Sequence, residues 1–449
     1  MSRTYGVHNS CYFHSGLHVE NYYKKGALPL VILYFFIAPN IPIGGGLVVD
    51  SSYVFIFILL VVKAIVHGGK VIINRRVQSL LFLIAVWIFT YTIGWFINGA
   101  ASRQTFMISI LGLVKTLAAV GLCLILCNDM SKSMIYRSIG IGLSWTVGLN
   151  AIAVILQYIF PYQMYDLCHK LYYSASSSGY TSYESIESWG SGFYNGRYYR
   201  YFGLNETPMV LSCIIIVVLA FLLIQVISDK KFFTHPRILG IVAVLVGVSA
   251  QCKIFFLMLP VLVLFYVFFN SKKMNTRQLY LYIIGSVLCL LLLIFLDDIS
   301  SIAAFRYLHY ITSPLEAFVT RFGDGSGTSG YLTETLTVAL DHLLTGVGPI
   351  SISGEPIADN SFVVILHNGG IVATFAMVAF YTKVIFDNYK SGNTINNILI
   401  LAMIVMGLSR TNLIFGNLLI LTIFYVYVDK RERNILAYDK FEKIVTGIS

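Results

Sequence analysis

Charge is what this sequence has least of. Of its 449 residues only 12% are Asp, Glu, Lys or Arg, while 57% are hydrophobic. Soluble domains carry about 25% charged and 45–50% apolar residues. So little charge excludes a soluble globular enzyme and a disordered tail protein. There are seven cysteines, but no CxxC and no Cys/His cluster at zinc spacing, so neither a disulfide-stapled scaffold nor a metal site is indicated. Cys123 and Cys127, one helical turn apart, read as core or lipid-facing residues. GxSxG is missing, as is a phosphate-binding glycine loop followed by Lys, so serine hydrolysis and ATP hydrolysis have no support. No cofactor is implied. No internal repeat is visible, which weakens an inverted-repeat transporter.

What the sequence does have is long apolar runs. A spanning helix needs about 20 apolar residues. Runs at 27–42, 52–67, 78–98, 105–127, 138–160, 207–228, 238–251, 254–270, 278–296, 362–383, 395–409 and 411–428 predict an all-α polytopic membrane protein of about 12 transmembrane helices. The stretches 238–270 and 395–428 have awkward lengths, and each could be a hairpin that does not fully cross. The first 25 residues are polar, end in Lys24-Lys25 and lack a signal-peptide core. The first apolar run is therefore expected to stay as a membrane helix.

A net charge of +10 could suggest nucleic acid, but the basic residues sit in short loops between apolar runs, as an orientation signal does. With the N-terminus inside, 21 of the 31 Lys and Arg fall on inner segments and eight on outer ones. The expected organisation is a cytoplasmic tail (1–26), five helices (27–160), a Tyr-rich outer loop (161–206), four helices (207–296), a second outer loop (297–361), three helices (362–428) and a cytoplasmic tail (429–449). Loops longer than about 12–15 residues are usually functional or disordered, so the chemistry is expected on the outer face.

The outer loops supply the candidates. The first reads YYSASSSGYTSYESIESWGSGFYNGRYYRYFG; its rings could stack on sugars or form an interfacial aromatic belt. Arg200 stands just before the sixth span, with Arg197 and Tyr199 beside it. Arginine grips phosphate oxygens bidentately and keeps its charge; snorkelling to lipid headgroups is the plainer reading. Glu206, in NETP, could act as a base. In the second loop Arg321 offers another phosphate clamp, or an ordinary loop charge paired with Asp324. It precedes an expected amphipathic helix over 330–344, with Leu332, Leu336, Leu340 and Leu343 at helical spacing, which would lie on the membrane or lid a cavity.

Asp359, Asn360 and Ser361 stand at the mouth of the tenth span. A carboxylate at 359 could take a proton from an attacking hydroxyl, or simply cap the helix. His367 lies deeper on nearly the same face; an ionisable residue inside a span is a functional candidate, although a hydrogen bond within the bundle would also account for it. Lys253 stands at one doubtful hairpin tip and could add positive potential above a cavity; Arg410, at the other, reads as a turn residue. Lys115, within a span, must face the bundle or water.

Taken together, the twelve-span plan, the two outer loops and three local patterns resemble the Wzy-type O-antigen polymerase and O-antigen ligase superfamily. The patterns are RYFGLNETP around Arg200; Arg321, an amphipathic helix, then Leu344-Thr-Gly-Val-Gly348-Pro349; and Asp359-Asn-Ser-Phe followed by Gly369-Gly370-Ile. The resemblance implies a GT-C-like glycosyltransferase in the bacterial inner membrane. It implies that Arg200 and Arg321 hold the diphosphate of an undecaprenyl-linked oligosaccharide. Many members have His-Asn where this chain has Asp359-Asn360, and Ser-Arg where it has Gln251-Cys252-Lys253. Its implied partners are lipid-linked glycan, membrane lipid and a chain-length-determining membrane protein, with no nucleic acid. The expected activity is metal-independent polymerisation of O-antigen or a related polysaccharide. A ligase acting on lipid A-core shares this chemistry. A lipid-linked oligosaccharide flippase is the rival from another class, but it would be expected to have short loops on both faces.

Overall fold

The computed structural model describes residues 26–44, 47–67, 75–98, 103–127, 130–172, 193–194, 197–198, 200–205, 207–228, 230–270, 275, 280, 282, 284–285, 328–348, 360–407 and 417–430. These are mostly helical. α1 (Gly26–Ile37) leads through a short antiparallel hairpin, β1 (Asn40–Gly44) and β2 (Leu47–Asp50), into α2 (Ser51–His67). Then come α3 (Arg75–Asn98), α4 (Arg103–Leu126), α5 (Lys132–Ile159) and α6 (Pro161–Tyr172). A two-residue ladder, β3 (Phe193–Tyr194) and β4 (Arg197–Tyr198), precedes α7 (Pro208–Ile227), α8 (Pro236–Ser249) and α9 (Lys253–Asn270). The remainder is α10 (Thr328–Asp341), α11 (Ser361–Lys390), a 3-10 turn (Thr394–Asn396), α12 (Asn397–Gly407) and α13 (Asn417–Lys430).

The mostly helical architecture agrees with the all-α expectation, and the described residues differ from the all-α, twelve-span plan in two respects. The structure contains two small β-hairpins. Among the described residues, only Lys132–Ile159, Pro208–Ile227 and Ser361–Lys390 are both long and apolar enough to cross a membrane; the other apolar helical stretches run to 10–17 residues. For the shorter helices the limit is length, whereas α3 and α4 run to 24 residues each. Fourteen residues, as in α8 or α13, reach about 21 Å at 1.5 Å per residue, short of a hydrocarbon layer about 30 Å thick. The run 278–296 lies outside the described residues except at 280, 282, 284 and 285. The polar loop expected from 161 opens with a helix, α6.

α7 is the central post. It is apolar all round and buried along most of its length, as a helix enclosed by others must be. Thr207 Oγ accepts from the Val210 N–H at 3.3 Å, and Pro208 fits the first turn, where its missing N–H costs nothing. α8, α9 and α12 pack around it, and α3 lies along α11. There the Trp87 indole N–H donates to the Ala373 carbonyl, and the Trp87 and Phe380 rings sit 6.1 Å apart. Lys115 is buried with its Nζ 4.6 Å from the Tyr53 ring centroid, a cation–π contact that accounts for a charge within the bundle. Cys123 and Cys127 are buried free thiols, as expected of core residues.

One end of the post is fastened by charge. The wholly buried carboxylate of Asp429 lies 3.0 Å from Lys230 Nζ and 3.5 Å from Lys132 Nζ. The Tyr136 hydroxyl donates to the same oxygen, and Asn396 Nδ2 donates to the other at 2.6 Å. Lys230 also donates to Asn396 Oδ1 at 2.8 Å and to the Tyr425 hydroxyl at 3.1 Å. Burial lowers the pKa of the Lys230 ammonium, and Asp429 beside it opposes that shift. Gln225 holds the Lys230 loop in place: its Oε1 accepts from the N–H groups of Phe232 and Phe233 at 2.8 and 2.7 Å. The network joins α5, the α7–α8 connection, the 3-10 turn and α13.

Removing the anion would leave two largely buried cations together. Asp429→Ala is expected to lower Tm in detergent, by up to about 3–5 kcal/mol of stability. Breaking the more exposed Lys383–Asp387 pair, 3.5 Å apart on α11, with Lys383→Ala should cost under about 0.5 kcal/mol. Equal Tm for both variants would refute the hub's structural weight.

Candidate functional site

Two polar centres lie at the opposite end of the post from Asp429. The first is built on α5. Asn150 and Gln157 stand two turns apart on that helix, both fully buried. Their amides clamp the segment that precedes α7. Gln157 Nε2 donates to the Gly203 carbonyl at 3.2 Å and its Oε1 accepts from the Gly203 N–H at 3.1 Å. Asn150 Oδ1 accepts from the Leu204 N–H at 2.9 Å and from Asn205 Nδ2 at 2.7 Å. Gly203 has φ +58°, and a Cβ there would lie 2.2 Å from Asn150 Oδ1, so only glycine fits this turn. Phe202 is buried against Ala153, Met164, Tyr165 and Cys168, a small core shared by α5 and α6. Burial raises the Cys168 thiol to a pKa of about 12.

This clamp presents Arg200 to the hairpin tip between α8 and α9. The Tyr201 N–H donates to the Ser249 carbonyl at 3.1 Å, and Arg200 Nη2 donates to Cys252 Sγ at 3.0 Å. The tip is strained: Gln251 has φ +47°, and its buried Oε1 has no hydrogen-bond partner among the described residues. Lys253 is the first residue of α9, one position beyond the cysteine that contacts Arg200. The fold therefore joins the Arg200 segment to positions 251–253, two places 50 residues apart that the sequence raised separately. A half-buried guanidinium beside a helix N-terminus suits an oxyanion.

The second centre is a break in α11. Asn360 caps the helix, its Oδ1 accepting from the N–H groups of Phe362 and Val363 at 3.0 and 3.2 Å. The capping role considered for Asp359 thus belongs to its neighbour. Ser361 is buried in the first turn. His367 is also buried, with Nδ1 2.7 Å from Asn368 Oδ1. With the amide oxygen as acceptor, this contact suits a proton on Nδ1 and leaves Nε2 as the basic nitrogen. At Gly370 the backbone leaves the helix, with φ 63° and ψ −162°. The groups freed by the break pair with the segment after α10. Val347 N–H donates to the His367 carbonyl at 2.8 Å, Gly348 N–H to that of Asn368 at 2.9 Å, and Ile371 N–H to that of Leu343 at 2.7 Å. The LTGVG and GGI patterns are two sides of one joint.

The amphipathic helix expected over 330–344 is α10, which ends at Asp341. Thr335 and Ala339 are buried, while Leu336, Leu340 and Leu343 are exposed. Arg197 contributes to β4. Asp359, Arg321, Tyr199 and Glu206 lie outside the described residues. Asn150 and Gln157 were missed from sequence, although two amides seven residues apart in an apolar span were a visible signal. Among the described residues no three His, Cys, Asp or Glu side chains gather as metal ligands. Among known proteins, no family model and no curated sequence matches the chain.

Two substitutions test these joints. Gln157→Leu strips both partners from the Gly203 peptide and should cost about 1–3 kcal/mol, read as a lower Tm. Gly370→Ala forces a side chain into a backbone region open essentially to glycine, at about 1–3 kcal/mol, with the new carbon 2.5 Å from the Leu344 oxygen. Gly148→Ala, inside α5, meets nothing within 4 Å and should raise Tm slightly, by up to about 1 kcal/mol of stability.

Proposed function

We propose that this protein is a glycan polymerase of the Wzy type, acting at the outer face of the bacterial inner membrane. It transfers an undecaprenyl-diphosphate-linked oligosaccharide onto the non-reducing-end sugar of another lipid-linked repeat. The observation that carries the reading is the buried-amide clamp that holds Arg200, one of the two arginines to which the resemblance gives the diphosphate, against the 251–253 tip, where many members have Ser-Arg. The reading keeps the twelve-helix, GT-C-like plan with both termini cytoplasmic; short helices cross where the bilayer thins around them or flanking residues snorkel. A chain-length-determining membrane protein is its expected partner.

The substrate sets the chemistry. A sugar 1-diphosphate already has a good leaving group. The acceptor hydroxyl oxygen attacks the anomeric carbon, the bond from that carbon to the diphosphate oxygen breaks, and the diphosphate leaves with the electron pair. The hydroxyl proton passes to a base, Asp359 in this reading, with His367 as the deeper alternative. Arg200 and Arg321 neutralise the departing diphosphate. Arg197, Tyr199, Glu206, Lys253, Asn360 and Ser361 complete the substrate surround.

The test is a gel of the surface glycan from a host lacking the protein. Loss of the ladder with a single repeat retained on lipid A-core supports polymerisation. Loss of every repeat moves ligase or flippase ahead. Complementation with Arg200→Ala or Arg321→Ala is expected to lose product while the protein still inserts, since one preorganised charge donor is worth about 10²–10³ in rate. Normal chain length in both variants would sink the clamp. Because Asn360 supplies the helix cap, Asp359→Asn reports on proton transfer alone, and full activity would remove Asp359 from the mechanism.

A further inference from the structure

The end of α10 lies where a surface loop would not. Beyond Asp341 the chain turns through 342–345 into Gly346, Val347 and Gly348, all buried. The three backbone hydrogen bonds to His367, Asn368 and Ile371 hold this segment in the break of α11. Gly370 is nine residues from the outer end of α11 and thirteen from Lys383, the first charged residue toward its other end. At 1.5 Å per residue these are about 13 Å and about 20 Å. Against a hydrocarbon layer about 30 Å thick, either measure puts the joint inside the layer. Irregular backbone at such depth is tolerated only where protein buries it or water reaches it, and here protein buries it.

The sides of α10 divide accordingly. Thr335 and Ala339 face the protein. Leu336, Leu340 and Leu344 form an exposed edge, 38%, 57% and 73% accessible. Leu344 follows the residue bonded to Ile371, and its carbonyl stands against Gly370; the next residue but one on α11, Val372, is exposed as well. Phe96, also exposed, lies next to Trp95, whose backbone abuts Gly348. The exposed leucines thus accompany exposed apolar residues on both helices whose backbones this segment meets. The exposed residues Thr337 and Asp341, one turn apart, occupy the next strip of the helix. A carboxylate at that level must face water or a polar cleft.

We propose that residues 328–348 form a re-entrant element set into one leaflet of the bilayer. Leu336, Leu340 and Leu344 pack against phospholipid acyl chains, and Thr337 and Asp341 line a water-filled cleft. The element has three environments at three consecutive positions: protein at 339, lipid at 340 and water at 341. This assignment does not depend on the polymerase reading, because its test reads position and not activity.

The experiment uses the full chain in vesicles of phosphatidylethanolamine and phosphatidylglycerol, with Cys11→Ser and Cys289→Ser leaving the five buried thiols. Nitroxide labels are placed singly at Leu340→Cys, Leu344→Cys, Thr337→Cys and Asp341→Cys, with Val372→Cys as the lipid-facing reference. Collision with oxygen and with a water-soluble nickel chelate is then measured. Labels at 340 and 344 should match 372, with an oxygen-to-nickel ratio several-fold above that at 337 and 341. Nickel preference at 340 and 344 would mean a helix in water and overturns the proposal. Weak collision with both probes at those positions would mean a protein cover and overturns it as well.

Discussion

Inside a helical bundle set in lipid, a backbone N–H or C=O that leaves its helix has no water to turn to. That constraint organises this protein. At each departure from helix described above, a side-chain amide or a second stretch of backbone supplies the missing partner. Gln157 takes both groups of the Gly203 peptide. Gln225 takes those of Phe232 and Phe233. Segment 343–348 fills the break at Gly370. Amides suit this task because one group carries both donor and acceptor and is neutral, so burying it brings no charge penalty.

The two ends of α7 show how these local solutions become long-range order. At one end the Asn150–Gln157 clamp fixes the segment carrying Arg200. At the other, Gln225 fixes the loop carrying Lys230, which closes on Asp429. One apolar helix of 20 residues therefore connects the candidate anion site to the ionic hub. Its stiffness comes from being packed on every side. The charges are kept to its ends, where partial solvent access offsets part of the desolvation cost. The joint between α10 and α11 adds a third fixed point. On the proposed transferase reading such rigidity is useful, since charge donors act by being in place before the diphosphate departs.

Helix positions were legible because apolar runs are local. The run 207–228 became Pro208–Ile227, and 362–383 lies within Ser361–Lys390. The place of Arg200 just before a span was legible, and the glycine patterns could be seen as patterns. Their meaning could not. Nothing near Gly370 in the chain says that Leu343 will bond beside it, and nothing near Lys132 points to Asp429, 297 residues away. The leucines of α10 announced a helix with an apolar edge, but not which edge would be covered.

The sequence by itself determined that this chain forms apolar helices, where most of them begin and end, and where its basic residues collect, because hydropathy and charge act on neighbouring residues. Tertiary structure alone decided which amide satisfies which turn, that Arg200 meets the 251–253 tip, that Asn360 and not Asp359 caps α11, and that a segment enters the helix break at Gly370. Those outcomes depend on hydrogen-bond partners brought together from distant parts of the chain, and such partners leave no periodic trace in the residues around them.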